Sequence, residues 1–213
     1  MKGVCFNEFH SYEDFRLILS SKTIEAPNAK TVKVSVDGSD GDIDLTEYFG
    51  EPKYENRTLE FVFSSVVPIN EFLEQFSEIN NAIHGKQMKI IMDDDPYFYY
   101  VGRCSVSAWK WNGRVVELTV KCDCEPYKYK IYETSRTDVI SESGIVNYSN
   151  LRKRVIPKFT FDGAMSFLFE NKTFSITNAG TYIFPDVEFK AGSNRITYTG
   201  SGTVTVKYLE GGL

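Results

Sequence analysis

The sequence has one segment whose apolar residues recur with the period of a helix, and many segments whose residues are typical of β-strands. This contrast limits the possible folds more than any other feature. Between Pro68 and Gly85, apolar residues recur at the spacing that places them along one side of a helix. Proline and glycine are typical of a helix start and a helix end. The sequence therefore predicts a helix over about residues 69–84, packed on a sheet by these side chains: Ile69, Phe72, Leu73, Phe76, Ile79 and Ile83.

Most of the remaining chain has β-strand character. Residues 15–20, 31–38 and 57–65 are rich in the β-branched and aromatic side chains that suit a pleated sheet. Within the second segment, three valines alternate with Lys33 and Ser35, which is the period of a strand with one buried face. We expect a half-buried strand there.

A long hairpin is predicted around Asn112-Gly113, a dipeptide that favours a two-residue turn between strands. With that turn, Trp111 faces Arg114 and Trp109 faces Val116. The register predicts one mostly apolar face, which includes both tryptophans and Cys122, and one mostly polar face, which includes Cys104. The apolar face is expected to pack on the core, and the polar face is expected to be solvated or to contact a partner.

The sequence changes in character near residue 130. Beyond it, short strand patterns follow one another without a helix, separated by turn signals such as Asp162-Gly163 and Asn171-Lys172. We therefore predict a mainly β protein with one packed helix. Residues 1–130 form an α+β N-terminal domain, and residues 131–213 form a small β-sandwich.

The charge distribution argues against nucleic-acid binding. The 213-residue chain has a net charge of -5, whereas phosphate binding requires clustered Lys and Arg. Residues 131–213 hold 9 basic and 8 acidic residues, and the rest holds 15 basic and 21 acidic ones, so the acidity lies in the N-terminal part. The basic group Arg152, Lys153 and Arg154 is interpreted as a solvated loop.

Two acidic stretches could suggest calcium. Asp93, Asp94 and Asp95 precede Pro96 between two strand patterns, so a turn is the preferred interpretation, with calcium left open. The second stretch has Asp40, Asp42, Asp44 and Glu51 at the spacing of a calcium loop. However, Leu45 replaces the glycine that such a loop needs, so an acidic loop between strands is expected there.

The cysteines and histidines give little support for an active site. Cys122 and Cys124 form C-x-C, and the predicted register puts Cys104 on the other face, so buried apolar roles are expected. The only histidines are His10 and His84, and no nucleophile or phosphate-binding motif occurs. We assign no catalytic, cofactor or metal residue. The N-terminus has no apolar segment of the kind found in signal peptides, so reduced thiols are expected.

Aromatic residues leave one binding alternative open. Phe98, Tyr100, Trp109 and Trp111 could form a platform on which a sugar stacks. Because the two tryptophans share the apolar hairpin face, core or subunit contact is the preferred interpretation.

The order of these segments resembles the distal tail protein (Dit) family of long-tailed bacteriophages and prophages. The stretches that carry the resemblance are residues 24–63, the helix, "DDDPYFYYVGR" at 93–103, "CEPYKY" at 124–129 and the closing "GTVTVKYLEGGL". The resemblance implies a non-enzymatic hexameric ring at the tail tip in the virion, assembled in the bacterial cytoplasm, without a cofactor. It also implies that the N-terminal domain makes the ring and that the C-terminal domain is galectin-like.

The resemblance further implies partners. The ring would join the tail tube protein to the tail-associated hub protein, and in some phages it carries receptor-binding proteins. Because residues 131–213 hold no long inserted module, a bare hub is the simpler interpretation. A carbohydrate-binding module for host surface glycans is the alternative, and a cell-wall hydrolase is a third possibility for which no paired catalytic acids can be named.

Two hypotheses assign parts of the sequence to positions in a ring, namely its channel and the contact between its subunits. The acidic N-terminal part would line the channel and repel DNA phosphates, and a ring with those acids on its outer surface would contradict this. The long hairpin and the loop from Gly38 to Glu47 would form strand pairs with neighbouring subunits. The candidate interface residues are Gly38, Ser39, Asp40, Gly41, Asp42 and Asp44.

Overall fold

A computed structural model describes residues 2–48, 50–65, 67–111 and 113–213 of the chain. These residues form two compact units. The first ends at Lys128 and also includes Leu213, and the second is Tyr129–Gly212. The prediction of a mainly β protein with one packed helix and a β-sandwich is confirmed. Among the described residues, no helix is long and apolar enough to cross a membrane.

The first unit contains a twisted antiparallel sheet, a separate ribbon and the helix. Its elements are β1 (Val4–Phe6), β2 (Phe9–His10), β3 (Ile18–Ile24), β4 (Lys33–Ser35), β5 (Asp42–Asp44), β6 (Arg57–Ser65), α1 (Ile69–Ile83), β7 (Gln87–Met92), β8 (Asp95–Trp111) and β9 (Val116–Cys124). The sheet runs in the order β2-β1-β7-β8-β9-β6-β3. Strands β4 and β5 pair only with each other among the described strands.

Helix α1 lies where the stripe predicts it, at Ile69–Ile83 after Pro68. Phe72, Ile79 and Ile83 are buried and Ile69 and Phe76 pack against the same core. The inclusion of Leu73 in the buried stripe is wrong, because its side chain is 49% exposed. The helix thus buries a narrower face than the sequence pattern predicts.

The predicted hairpin exists, but its register differs. Trp109 lies opposite Leu118, two residues beyond the predicted partner, and Asn112 of the predicted turn lies outside the described residues. An extra residue at Ser107 then shifts the pairing, so that Cys104 lies opposite Cys122. A bulge reverses the faces of the strand beyond it, so the predicted face of Cys104 was wrong. The expectation that Cys104, Cys122 and Cys124 are buried is correct.

The second unit packs two four-stranded antiparallel sheets around an aromatic core. Two short strands, β10 (Lys128–Lys130, which begins at the boundary between the units) and β19 (Gly211–Gly212), pair with each other outside these two sheets. The strands of the sheets are β11 (Thr134–Ile140), β12 (Ser143–Asn150), β13 (Lys158–Phe161), β14 (Met165–Phe169), β15 (Lys172–Ile176), β16 (Gly180–Ile183), β17 (Gly192–Thr199) and β18 (Gly202–Tyr208). The sheets run β11-β18-β13-β16 and β12-β17-β14-β15. Phe159, Phe167 and Tyr198 are fully buried, and the rings of Phe159 and Phe167 stack with centroids 5.1 Å apart.

Candidate functional site

The predicted interface residues lie on a two-stranded ribbon outside the main sheet. Lys33, Val34 and Ser35 of β4 face Asp44, Ile43 and Asp42 of β5, respectively. The turn between the strands contains Gly38, Ser39, Asp40 and Gly41, and both glycines have positive φ, at 82° and 76°. All six predicted residues are exposed. The structure therefore places them at the tip and on the second strand of one exposed ribbon.

The ribbon has one apolar face, and that face is open to solvent. Val34 and Ile43 lie directly opposite each other, and Val32 and Val36 share the face because side chains alternate along a strand. Their exposed fractions are 43% for Val34, 52% for Ile43, 49% for Val32 and 44% for Val36. The expectation of a half-buried strand at residues 31–38 was therefore wrong. The other face carries Lys33, Ser35, Asp42 and Asp44.

Hydrogen bonds hold the base of the ribbon. The backbone N–H of Leu45 donates to the carbonyl of Val32 at 2.8 Å, and the N–H of Val32 donates to Oγ1 of Thr46 at 3.0 Å. Oδ1 of Asp44 accepts from the backbone N–H of Thr46 at 2.9 Å, and hydrogen bonds from Thr46 lower the pKa of Asp44. The ribbon is thus a defined local structure despite its exposure.

The ribbon acids are not arranged as a calcium loop. Asp42 and Asp44 belong to a paired strand, in place of the loop that we expected from the sequence, whereas Asp40 lies in the turn. Among the described residues, the acids of the ribbon do not bring three ligand atoms together. The ribbon therefore offers a surface for contact and not a cage of oxygen ligands.

The predicted turn between β7 and β8 exists, but only two of the three consecutive aspartates form it, because Asp95 begins β8. Met92 pairs with Asp95, which leaves Asp93 and Asp94 as the two turn residues. The side chains then diverge. Asp93 accepts the backbone N–H of Gly3 at 2.6 Å, Asp94 pairs with Lys22, and Asp95 lies 2.8 Å from Nζ of Lys128. A hydrogen bond from Lys22 is the main cause of a lowered pKa at Asp94.

Asp93 also belongs to a cluster that the sequence did not predict. The potential ligand atoms of Cys5, His10 and Asp93 lie within 4.8 Å of one another. Nδ1 of His10 accepts from the backbone N–H groups of Tyr12 and Glu13 at 3.3 and 3.1 Å. The neutral ring therefore carries its proton on Nε2, which lies 3.3 Å from Oδ2 of Asp93.

This tautomer does not suit a metal. A histidine that binds a metal through Nε2 keeps its proton on Nδ1 and donates it to a neighbour, whereas here Nδ1 accepts two hydrogen bonds. Burial, followed by the charge of Asp93, raises the pKa of Cys5, which disfavours the thiolate that a metal requires. Asp93 instead holds the N-terminal segment to the β7–β8 turn through hydrogen bonds with Gly3 and His10, and this contact is called the clamp below.

Replacing Asp93 with alanine should destabilise the first unit more than replacing its neighbour. Asp93→Ala leaves the N–H of Gly3 and Nε2 of His10 without their shared acceptor, which should lower the free energy of unfolding by about 1–3 kcal/mol. Asp94→Ala removes one partly exposed ion pair with Lys22 and should cost less than about 1 kcal/mol. Urea unfolding followed by tryptophan fluorescence measures both, and equal losses would contradict the clamp.

The aromatic residues proposed for a sugar platform do not share one surface. Tyr100 is buried, and the ring of Phe98 lies beneath Nζ of Lys128 at 4.4 Å. Trp109 packs on Phe72 of α1, with ring centroids 5.7 Å apart. Trp111 is 54% exposed. The arrangement matches the preferred interpretation for Trp109, which contacts the core.

Comparison with known proteins gives a match by structure alone. No protein-family model matches the chain, and no curated protein matches its sequence. The fold is similar to the crystal structure of the SPP1 Dit protein (gp 19.1), described as a paradigm of the hub adsorption apparatus in phages that infect Gram-positive bacteria. The TM-score is 0.70 with 13% identity, and the match covers 100% of both chains. The resemblance to Dit is thus confirmed as a shared fold.

Proposed function

We propose that this chain is a structural hub protein of a phage tail tip or baseplate. It forms a hexameric ring that connects the tail tube protein to the tail-associated hub protein and to receptor-binding proteins, and DNA passes through the ring. The observation that carries the proposal is the likeness to a hub adsorption protein over the full length of both chains. No step in this role requires catalysis or a cofactor, and the site of action is the virion.

The exposed ribbon supports the proposal because a ring requires each subunit to contact the next. In a cyclic ring, one surface of a subunit meets a different surface of its neighbour. The apolar face made by Val32, Val34, Val36 and Ile43 is the kind of surface that such a contact buries. The six candidate residues from Gly38 to Asp44 would then lie at the subunit boundary.

The division into two units suggests a division of roles. We assign the ring to residues 1–130, which contain the ribbon, and an outward position to the sandwich of residues 131–213. The excess of carboxylates in the N-terminal part would then give the channel a negative potential. Such a channel repels DNA phosphates, so DNA passes without binding.

The mass of the purified protein in solution tests the proposal. Light scattering should give six times, or twelve times, the 24.3 kDa chain mass, and negative-stain images should show a central hole. Mixing with the tail tube protein should favour the ring if the isolated chain associates weakly. A chain that stays monomeric at every concentration, with and without that partner, contradicts the proposal. A glycan array would then test the carbohydrate-binding alternative.

A further inference from the structure

Three buried thiols lie together on two neighbouring strands of the first unit. Cys104 of β8 faces Cys122 of β9, and Cys124 follows two residues later on the same face. All three side chains are fully buried, and all are free thiols. The bulge at Ser107 creates this group, because without it Cys104 would point away from the other two.

The backbone hydrogen bonds identify the type of pair that Cys104 and Cys122 form. The N–H of Cys104 donates to the carbonyl of Lys86 at 2.9 Å, and its carbonyl accepts from the N–H of Gly85 at 2.8 Å. Both groups point away from β9, so Cys104 and Cys122 are a pair without mutual backbone hydrogen bonds. In such pairs the Cα atoms are about 4.5 Å apart, which is within the range that a disulfide spans.

The surroundings favour this pair over the two other combinations. Cys104 and Cys122 are directly opposite each other, and both side chains are fully buried on the same face of the sheet. The Cys124 thiol lies over Gly102. A Cβ atom placed on Gly102 would be 2.4 Å from Sγ of Cys124, so the thiol fills the space that a side chain at residue 102 would need. Cys122 and Cys124 are two residues apart on one strand, about 6.8 Å between Cα atoms, at the outer limit for a disulfide.

We propose that Cys104 and Cys122 form a disulfide between β8 and β9 when the protein meets a disulfide oxidant outside a reducing cytoplasm. The thiolate of one cysteine attacks the oxidant, which releases one thiol and leaves a mixed disulfide. The second cysteine attacks that bond and releases the other thiol. The two cysteines lose two protons and two electrons, and the oxidant disulfide is reduced to two thiols.

The environment of Cys104 and Cys122 explains why the pair would stay reduced until the protein meets a disulfide oxidant. The neighbouring Cys104 thiol, together with burial, raises the pKa of Cys122, so the reactive thiolate is scarce while the sheet is closed. Oxidation therefore proceeds through opening of the β8–β9 region. The chemistry does not depend on the proposed tail role. In a virion, which leaves the host cytoplasm, the bond would strengthen the first unit after release.

Oxidation of the full chain tests the proposal directly. The protein is opened in moderate urea with oxidised glutathione, refolded by dialysis, and its remaining thiols are alkylated. The expected product has lost two hydrogens and joins the tryptic peptides 104–110 and 122–128. Thermal unfolding should shift upward by about 5–10 °C and return on reduction. Four alkylatable thiols after this treatment would overturn the proposal.

A matched pair of variants assigns the bond. Trypsin leaves Cys122 and Cys124 on the same peptide, so the cross-linked mass alone does not distinguish them. Cys124→Ser should still form the bond and show the same shift, whereas Cys122→Ser should show neither. A cross-link that persists in Cys122→Ser, or that involves Cys5, would also overturn the proposal.

Discussion

A lysine in place of Val34 or Ile43 should abolish self-association while the chain remains folded. The two side chains lie opposite each other on the exposed apolar face of the ribbon, at 43% and 52% exposure. An ammonium group there stays in water in the monomer, but it would be desolvated without a partner in a subunit contact. We expect association to weaken by at least about 100-fold, which corresponds to roughly 2.7 kcal/mol.

Light scattering gives the mass of each variant, and circular dichroism confirms that it is folded. Ser35→Lys is the matched control, because it adds the same charge to the opposite face of the same strand. We expect that variant to keep the mass of the original protein. If Ser35→Lys dissociates the assembly as strongly as Val34→Lys, the effect is one of charge and the apolar face is not the contact.

Deletion of residues 39–42 addresses the tip of the ribbon separately. It removes Ser39, Asp40, Gly41 and Asp42, which connect the two strands, so that β4 and β5 can no longer pair as observed. The assembly should weaken in the same direction as with Val34→Lys. An unchanged ring would show that the candidate residues at the tip do not hold the subunits together.

The ribbon also shows what sequence periodicity can and cannot establish. The alternation of Val32, Val34 and Val36 with polar residues correctly indicates a strand. Alternation shows that one face suits an apolar environment, but it does not show what covers that face. Within one chain the valines stay exposed, so the expectation of burial fails although the strand exists.

The long hairpin fails in a different way. On β9, the alternation of Val116, Leu118 and Val120 predicts the buried face correctly. On β8, one extra residue at Ser107 reverses the faces, and nothing in the local sequence marks that position. The contact of His10 with Asp93 joins residues 83 positions apart, so it depends on strand order and could not be found from local patterns.

Truncation of Phe167 should be among the most destabilising single changes in the sandwich. Its ring is 1% exposed and lies 4.9 Å from Phe174, 5.1 Å from Phe159 and 5.2 Å from Phe184, between centroids. Phe167→Ala removes these contacts and leaves a cavity that stacked rings cannot easily fill. We expect the free energy of unfolding of this unit to fall by about 3–5 kcal/mol.

The adjacent residue provides the control, because it lies on the same strand and points to the other side. Leu168 is 42% exposed, so Leu168→Ala removes little buried surface and should cost less than about 1 kcal/mol. Urea unfolding followed by near-ultraviolet circular dichroism, together with hydrogen exchange in peptides from Tyr129–Gly212, measures both variants. Similar losses at the two positions would mean that β14 does not separate a packed core from solvent, and the two-sheet arrangement of this unit would then be wrong.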